Sequence, residues 1–210
     1  MKFSRFTLLV LAAYILCSWA ALVAAYGQEA EEEGEAVELR PVDYVNAEYE
    51  FGLALPEGYT TFEYEEGDVW VLQMIGEMEQ PGARISVEEL PEGVVDVAGY
   101  WQLLKERDPM MARNITYEKV GAVAGTGAVL SRVEYFEADQ YILVITWAFV
   151  HAGHGFTISG YPPEMGEYFL AKDIALDVAQ QFRWMSDEEI ASFEAADVDN
   201  GGEIPAGESF

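Results

Sequence analysis

The residues whose types and spacing could do chemistry stand near the end of the chain, in the run Asp197-Val198-Asp199-Asn200-Gly201-Gly202-Glu203-Ile204-Pro205-Ala206-Gly207-Glu208. Carboxylates occupy its first, third and twelfth positions, glycine the sixth and isoleucine the eighth. Calcium is a hard cation that takes about six to eight oxygen ligands, and a twelve-residue loop supplies them from such positions. The glycine permits the sharp turn and the apolar eighth residue pins the loop. The ligands expected for Ca2+ are therefore Asp197, Asp199, Glu203 through its backbone carbonyl, and Glu208.

Other constellations are weaker. His151 and His154, the two histidines of the chain, could give two of the four ligands that zinc requires, but they bracket a glycine turn where exposed histidines are common. Ser159 follows Thr157-Ile158 and precedes Gly160, which reads as a strand end and not as a nucleophile elbow. Gly125-Thr126-Gly127 lacks the Gly-Lys-Ser/Thr of a phosphate-binding loop and reads as a hairpin turn. No catalytic residue is assigned, and a non-enzyme is expected. The alternative is an extracytoplasmic hydrolase whose carboxylates the sequence cannot single out, because acids are spread throughout.

Eleven lysines and arginines stand against 38 acids, a formal charge of -27 at pH 7. Nucleic acid and anionic membrane surfaces both need clustered basic side chains, and the sequence has no such cluster, so neither is an expected partner. The expected partner is a protein or small molecule outside the cytoplasm.

Export follows from the first 27 residues. Lys2 and Arg5 precede an apolar run from Phe6 to Leu22, and small residues follow at Ala24, Ala25 and Gly27, the pattern of a signal peptide cleaved after Ala25 or Gly27. Left uncleaved, the same run is long enough to anchor the chain in a membrane. Cys17, the single cysteine, lies inside it, so the mature chain has no disulfide and no thiol chemistry. Residues 28–41 are rich in Glu, Gly and Ala, too poor in large apolar side chains to offset ordering, and read as a disordered acidic linker. The folded domain is expected over 42–185 and an acidic tail over 186–210.

Within the domain, Phe51, Leu53 and Leu55, then Trp70, Leu72 and Met74, then Ile85 and Val87 alternate with small or polar residues, as half-buried strands do. Asp96 reads as the N-cap of a helix that Asp108-Pro109 ends. Strands are expected over 115–120, 128–136, 141–150 and 155–161, the third so apolar that both its faces must be covered. A second helix is expected from Pro162-Pro163-Glu164, with Leu170, Ala171, Ile174, Ala175, Val178 and Phe182 recurring at three- and four-residue intervals. The order strands, helix, strands, helix with hairpin-length connections predicts a single α+β domain, an antiparallel β-sheet flanked by helices.

Two resemblances attach to these residues. The run from Tyr44-Val45-Asn46 to Tyr49-Glu50-Phe51-Gly52-Leu53-Ala54-Leu55-Pro56-Glu57-Gly58-Tyr59 resembles the opening of Mog1/PsbP-like domains. The helix from Glu164 to Gln181 closing on Phe182-Arg183 resembles their last helix and short aromatic-Arg strand. The resemblance covers about residues 42–185. It implies an α/β/α sandwich and a role in accessory, assembly or binding work, since members are generally not enzymes. The tail resembles an EF-hand entering helix and loop, with Ser186-Asp187-Glu188-Glu189 as a capping-box start. It departs from that pattern at Gly201, which removes a ligand, at Pro205, and in having no exiting helix.

The leader generates the first prediction. Mass spectrometry of an extracytoplasmic fraction should find a chain beginning near Tyr26 or Gln28, and recovery of full-length chain in the cytoplasm alone would refute export.

Overall fold

In the computed structural model the period-two runs form strands. Residues 38–76, 82–137, 140–161 and 168–199 are described; the leader, most of the linker, and the tail from Asn200 onward lie outside them. So does the expected helix opening at Pro162-Pro163-Glu164. The chain divides into two units, residues 1–38 and 39–210, and the elements below belong to the second.

Ten strands come in chain order as β1 (Tyr44–Asn46), β2 (Phe51–Leu53), β3 (Thr60–Glu66), β4 (Val69–Ile75), β5 (Gly82–Glu89), β6 (Ile115–Val123), β7 (Thr126–Glu137), β8 (Gln140–His151), β9 (His154–Tyr161) and β10 (Phe182–Trp184). Four helices accompany them: α1 (Val97–Arg107), α2 (Pro109–Arg113), α3 (Tyr168–Gln181) and α4 (Asp187–Asp199). Seven strands form one sheet in the order β3-β4-β5-β9-β8-β7-β6, and three form a small sheet in the order β1-β2-β10. All of these pairings are antiparallel. This is the α+β class expected.

The caps act as the sequence indicates. Asp96 accepts a hydrogen bond from the Gly99 backbone N–H at 2.8 Å, which satisfies one of the free donors that start α1. Lys105 and Arg107 lie in its last turn, where positive charge offsets the helix dipole. Asp108 ends α1, yet its side chain also accepts from the Met111 N–H at 2.8 Å and so starts the five-residue α2, which the sequence reading did not include. The hairpin turns sit slightly off their expected places. Strand β6 runs three residues further than expected, and the turn is Ala124-Gly125, with φ of 47° and 76°. Ala152-Gly153 turns in the same way, at 48° and 85°. Two left-handed residues in succession give the tight turn whose twist matches that of the strands it joins.

Helix α3 lies on one face of the large sheet and α1 on the other. The α3 side holds the main core, with Phe149, Trp147, Ile158, Ile85 and Leu72 from the sheet against Ile174 and Val178 of the helix. This matches the pairing of Trp147 and Phe149 with Ile174 and Val178 that periodicity suggests. The small sheet closes the end of that core through rings: Phe51 stacks on Phe182 at 4.9 Å and Phe149 on Phe156 at 5.2 Å, the offset geometry that ring quadrupoles favour. On the far face Tyr100 and Trp101 of α1 pack with Val129 and Ala148.

Two glycines of β9 set how closely the helices approach. A Cβ at Gly160 would stand 2.3 Å from the Ala171 carbonyl oxygen of α3, and one at Gly155 would stand 2.5 Å from the Tyr100 ring of α1. Gly160→Ala should therefore destabilise by about 1–3 kcal/mol, the usual cost of overpacking, in a chemical denaturation experiment. Gly127→Ala has open space in place of that clash and should stay within about 0.5 kcal/mol of the parent; equal losses for the two would disprove the close approach.

Candidate functional site

The face of the large sheet beneath α1 carries a polar line that crosses four strands. Ser131 of β7 is opposite Thr146 of β8, Thr146 opposite Ser159 of β9, and Ser159 opposite Arg84 of β5. Side chains in register across neighbouring strands point the same way, so these four share one face. Ser131, Ser159 and Arg84 appear in sequence as polar positions of their strands, which ordinarily means solvent, and Thr146 as the one polar residue of an apolar run. Here Ser131, Thr146 and Ser159 are all buried.

Thr146, Ser159 and Arg84 of this line form the floor of a groove of about 360 Å³ between the sheet and helices α1 and α2, while Ser131 lines a separate depression with Lys119 and Arg132. Trp101, Leu104, Arg107 and Met111 form its helical wall, with Asp108 at the junction, and Ser86, Thr157, Tyr135 and Tyr161 add further hydroxyls. The volume falls in the range of small-molecule pockets, about 300–1,000 Å³.

Each polar group has a defined state. The Thr146 and Ser159 hydroxyls lie 3.0 Å apart and share one hydrogen bond. Arg84 donates through Nε to the Ser86 hydroxyl at 2.8 Å and through Nη2 to Glu66 at 2.8 Å. Burial raises the Tyr161 phenol above its ordinary range, while Arg84 and a hydrogen bond with Ser159 pull it back. At the rim, Tyr100 donates to Glu88 at 3.1 Å and Arg107 pairs with the same carboxylate. Burial first, and then the Glu88 charge, pushes the Tyr100 phenol well up. The Trp101 indole N–H and the Ser131 hydroxyl are buried with no hydrogen-bond partner among the described residues. Buried donors are ordinarily satisfied, so the Trp101 N–H in the wall of this groove marks a place where a ligand or water completes the bonding.

The site residues expected from sequence lie elsewhere. Asp197 and Asp199 fall in the last turn of α4, while Glu203 and Glu208 lie outside the described residues. The capping box at the start of α4 is present: the Ser186 N–H donates to Glu189 at 2.8 Å, and the Glu189 N–H approaches the Ser186 hydroxyl at 3.4 Å. The Ser186 N–H and the Ser186 hydroxyl, both donating to the Glu189 carboxylate, hold that carboxyl below its ordinary range.

His151 and His154 face each other across the β8–β9 hairpin. His151 stacks on Trp184 at 3.7 Å and His154 meets Tyr49 edge-on at 5.3 Å, so both imidazoles serve the aromatic end of the core. Among the described residues no group of three or more His, Cys, Asp or Glu side chains is placed to hold a metal.

No protein-family model matches the chain, and no curated protein is similar to it in sequence. Solved structures do match. The solution structure of the cyanobacterial PsbP protein (CyanoP) of Synechocystis is similar, with a TM-score of 0.50 at 11% identity, over 71% of this chain and 96% of that one. A crystal structure of a Bacteroides thetaiotaomicron protein matches with a TM-score of 0.46 at 17% identity, over 67% of this chain. This chain spans 47% of that protein's length. The fold is thus PsbP-like, in agreement with the resemblance read from Tyr44–Tyr59 and Phe182-Arg183. Among the described residues no helix is long and apolar enough to cross a membrane.

The shared hydrogen bond of the floor generates a prediction. Ser159→Ala leaves the Thr146 hydroxyl buried without that partner and should cost about 1–3 kcal/mol by denaturation. Adding Thr146→Val removes both hydroxyls, so the double variant should lose less than the two singles summed. Strict additivity would show that the pair is not coupled.

Proposed function

We propose that this chain is an exported, non-catalytic accessory or binding protein that works outside the cytoplasm and takes a small polar ligand in the groove beneath α1. The observation that carries the reading is the in-register floor of Thr146, Ser159 and Arg84, with the Trp101 N–H of the groove wall left without a partner among the described residues. Hydroxyls donate and accept while guanidinium and indole donate only, so this set suits a molecule rich in hydroxyl or carbonyl oxygens. The two arginines of the groove are balanced by Glu66 and Glu88, which favours a ligand of little net charge. A hydrolytic reading finds less support, because Asp108 is the one carboxylate lining the groove and it caps α2.

Export rests on the leader pattern of Lys2, Arg5, the apolar run and the small residues after it. Weak calcium binding by the tail rests on the spacing of Asp197, Asp199, Glu203 and Glu208.

Calorimetry on the mature protein tests both sites. A panel of saccharides and hydroxy acids should yield a ligand binding at about one equivalent, weakened about tenfold by Arg84→Gln, the effect of losing one good charge-assisted contact. Turnover of ester or glycoside substrates that Asp108→Asn abolishes would overturn the non-catalytic reading. Calcium should titrate about one site in the roughly 0.1–1 mM range of extracellular modules, lost in Asp197→Ala with Glu208→Ala. Diffuse uptake that moderate salt removes would reduce the tail to screened surface charge.

A further inference from the structure

The opposite face of the sheet carries a second concavity, independent of the groove beneath α1. Helix α3 lies over β8, β9 and β5 and leaves the outer strands β7 and β6 uncovered beside it. Two depressions follow the helix there. One, of about 470 Å³, is lined by Thr116, Tyr117, Lys119, Arg132, Glu134 and Lys172. The other, of about 530 Å³, is lined by Leu39, Ala124, Trp147, Leu176, Phe182 and Trp184, among others. They lie side by side, since Leu130, lining the first, stands opposite Trp147, lining the second. A single stripe of the helix serves both: Lys172, Leu176 and Gln180 recur at four-residue steps, the spacing of one helical face.

The charge at one end is unusual for this chain. Of the nine basic residues from Arg40 to Arg183, five pair with described carboxylates: Arg40, Arg84, Lys105, Arg107 and Arg132. No ion pair with a described residue involves Lys119 or Lys172, and both line the first depression. Arg132 joins them there with its partner Glu134, so the two lysines set a net positive charge at that end. In a protein of formal charge -27, cations held apart from the abundant acids and converging on one depression form a local anion site. The other end is walled mainly by apolar and indole side chains, with Gln180 and Arg183 the polar residues among them.

We propose that this trough binds a single anionic amphiphile, its carboxylate or phosphate head between Lys119 and Lys172 and its aliphatic tail along Leu176, Trp147 and Trp184. Each depression alone is of small-molecule size. A head without a tail, or a tail without a head, would use half the trough.

Calorimetry and tryptophan fluorescence with decanoate test this, with acetate and decanol as controls. Decanoate should bind at about one equivalent and shift the emission of the indoles that line the tail end. Acetate and decanol should each bind at least about tenfold more weakly, since each forfeits more than about 1.4 kcal/mol of contact. Lys119→Gln with Lys172→Gln, both surface changes, should weaken decanoate by about tenfold and leave decanol unchanged. Failure of decanoate to bind, or equal binding by the double variant, would overturn the proposal. Flotation with phosphatidylglycerol vesicles separates a free amphiphile from a membrane-borne headgroup. The protein should remain unbound, because its overall charge repels that surface; recruitment abolished by the lysine substitutions would assign the trough to a membrane instead.

Discussion

A helix can rest directly on a sheet only where the strand below it gives way, and β9 gives way on both of its faces. Gly160 lets the Ala171 carbonyl and the Ala175 methyl of α3 settle onto the strand, and Gly155 does the same for Tyr100 of α1. From these two contacts the layering follows. With α3 seated at that depth, Ile174 and Val178 reach the row formed by Trp147, Ile158 and Ile85, and the small sheet can bring Phe51 and Phe182 against Phe149 and Phe156. The helices are narrower than the seven strands they cover, so each face keeps an open margin, and both candidate sites lie in those margins.

Much of this was legible from residues alone. Asp96 marked the start of α1 because a short acid accepts from free helix donors, Asp108-Pro109 marked its end because proline cannot continue a helix, and β8 announced an interior position by being apolar on nearly every residue. The closing strand at Phe182-Arg183 and the PsbP-like opening at Tyr44–Tyr59 also matched. Strand β3 was not legible: Thr60–Glu66 is an exposed edge with Glu63, Glu65 and Glu66 in it, so no apolar alternation betrays it. Such charge is how edge strands avoid pairing with other chains. The candidate sites were not legible for a different reason. Ser131, Thr146, Ser159 and Arg84 look like ordinary solvent-facing positions until the strand register brings them side by side, and Lys119 and Lys172 are far apart in the chain.

Charge in this molecule works through distribution more than through its sum. Five described cations are neutralised by neighbouring carboxylates, several of which brace one element on another: Arg40 ties the start of the domain to Asp177 of α3, Arg84 ties β5 to Glu66 of β3, and Arg107 ties α1 to Glu88 of β5. These pairs are partly exposed, so each contributes modestly to stability. Their larger effect is to leave the remaining basic side chains conspicuous against an acidic background.

The three-stranded sheet also bears on the order in which the molecule can assemble. Its central strand, Phe51–Leu53, pairs with β1 near the start of the domain and with β10 near its end. Beside it the Arg40 backbone N–H donates to Gln181 across 141 residues of chain. Closing so long a loop must await the last part of the sequence, which places this step late in folding. A nascent chain lacking Phe182 has no ring to stack on Phe51 and no third strand, so the aromatic end of the core stays open until β10 has been made. Such a delayed latch leaves the preceding strands and helices open to rearrangement until β10 arrives, and only then does the aromatic end of the core become fixed.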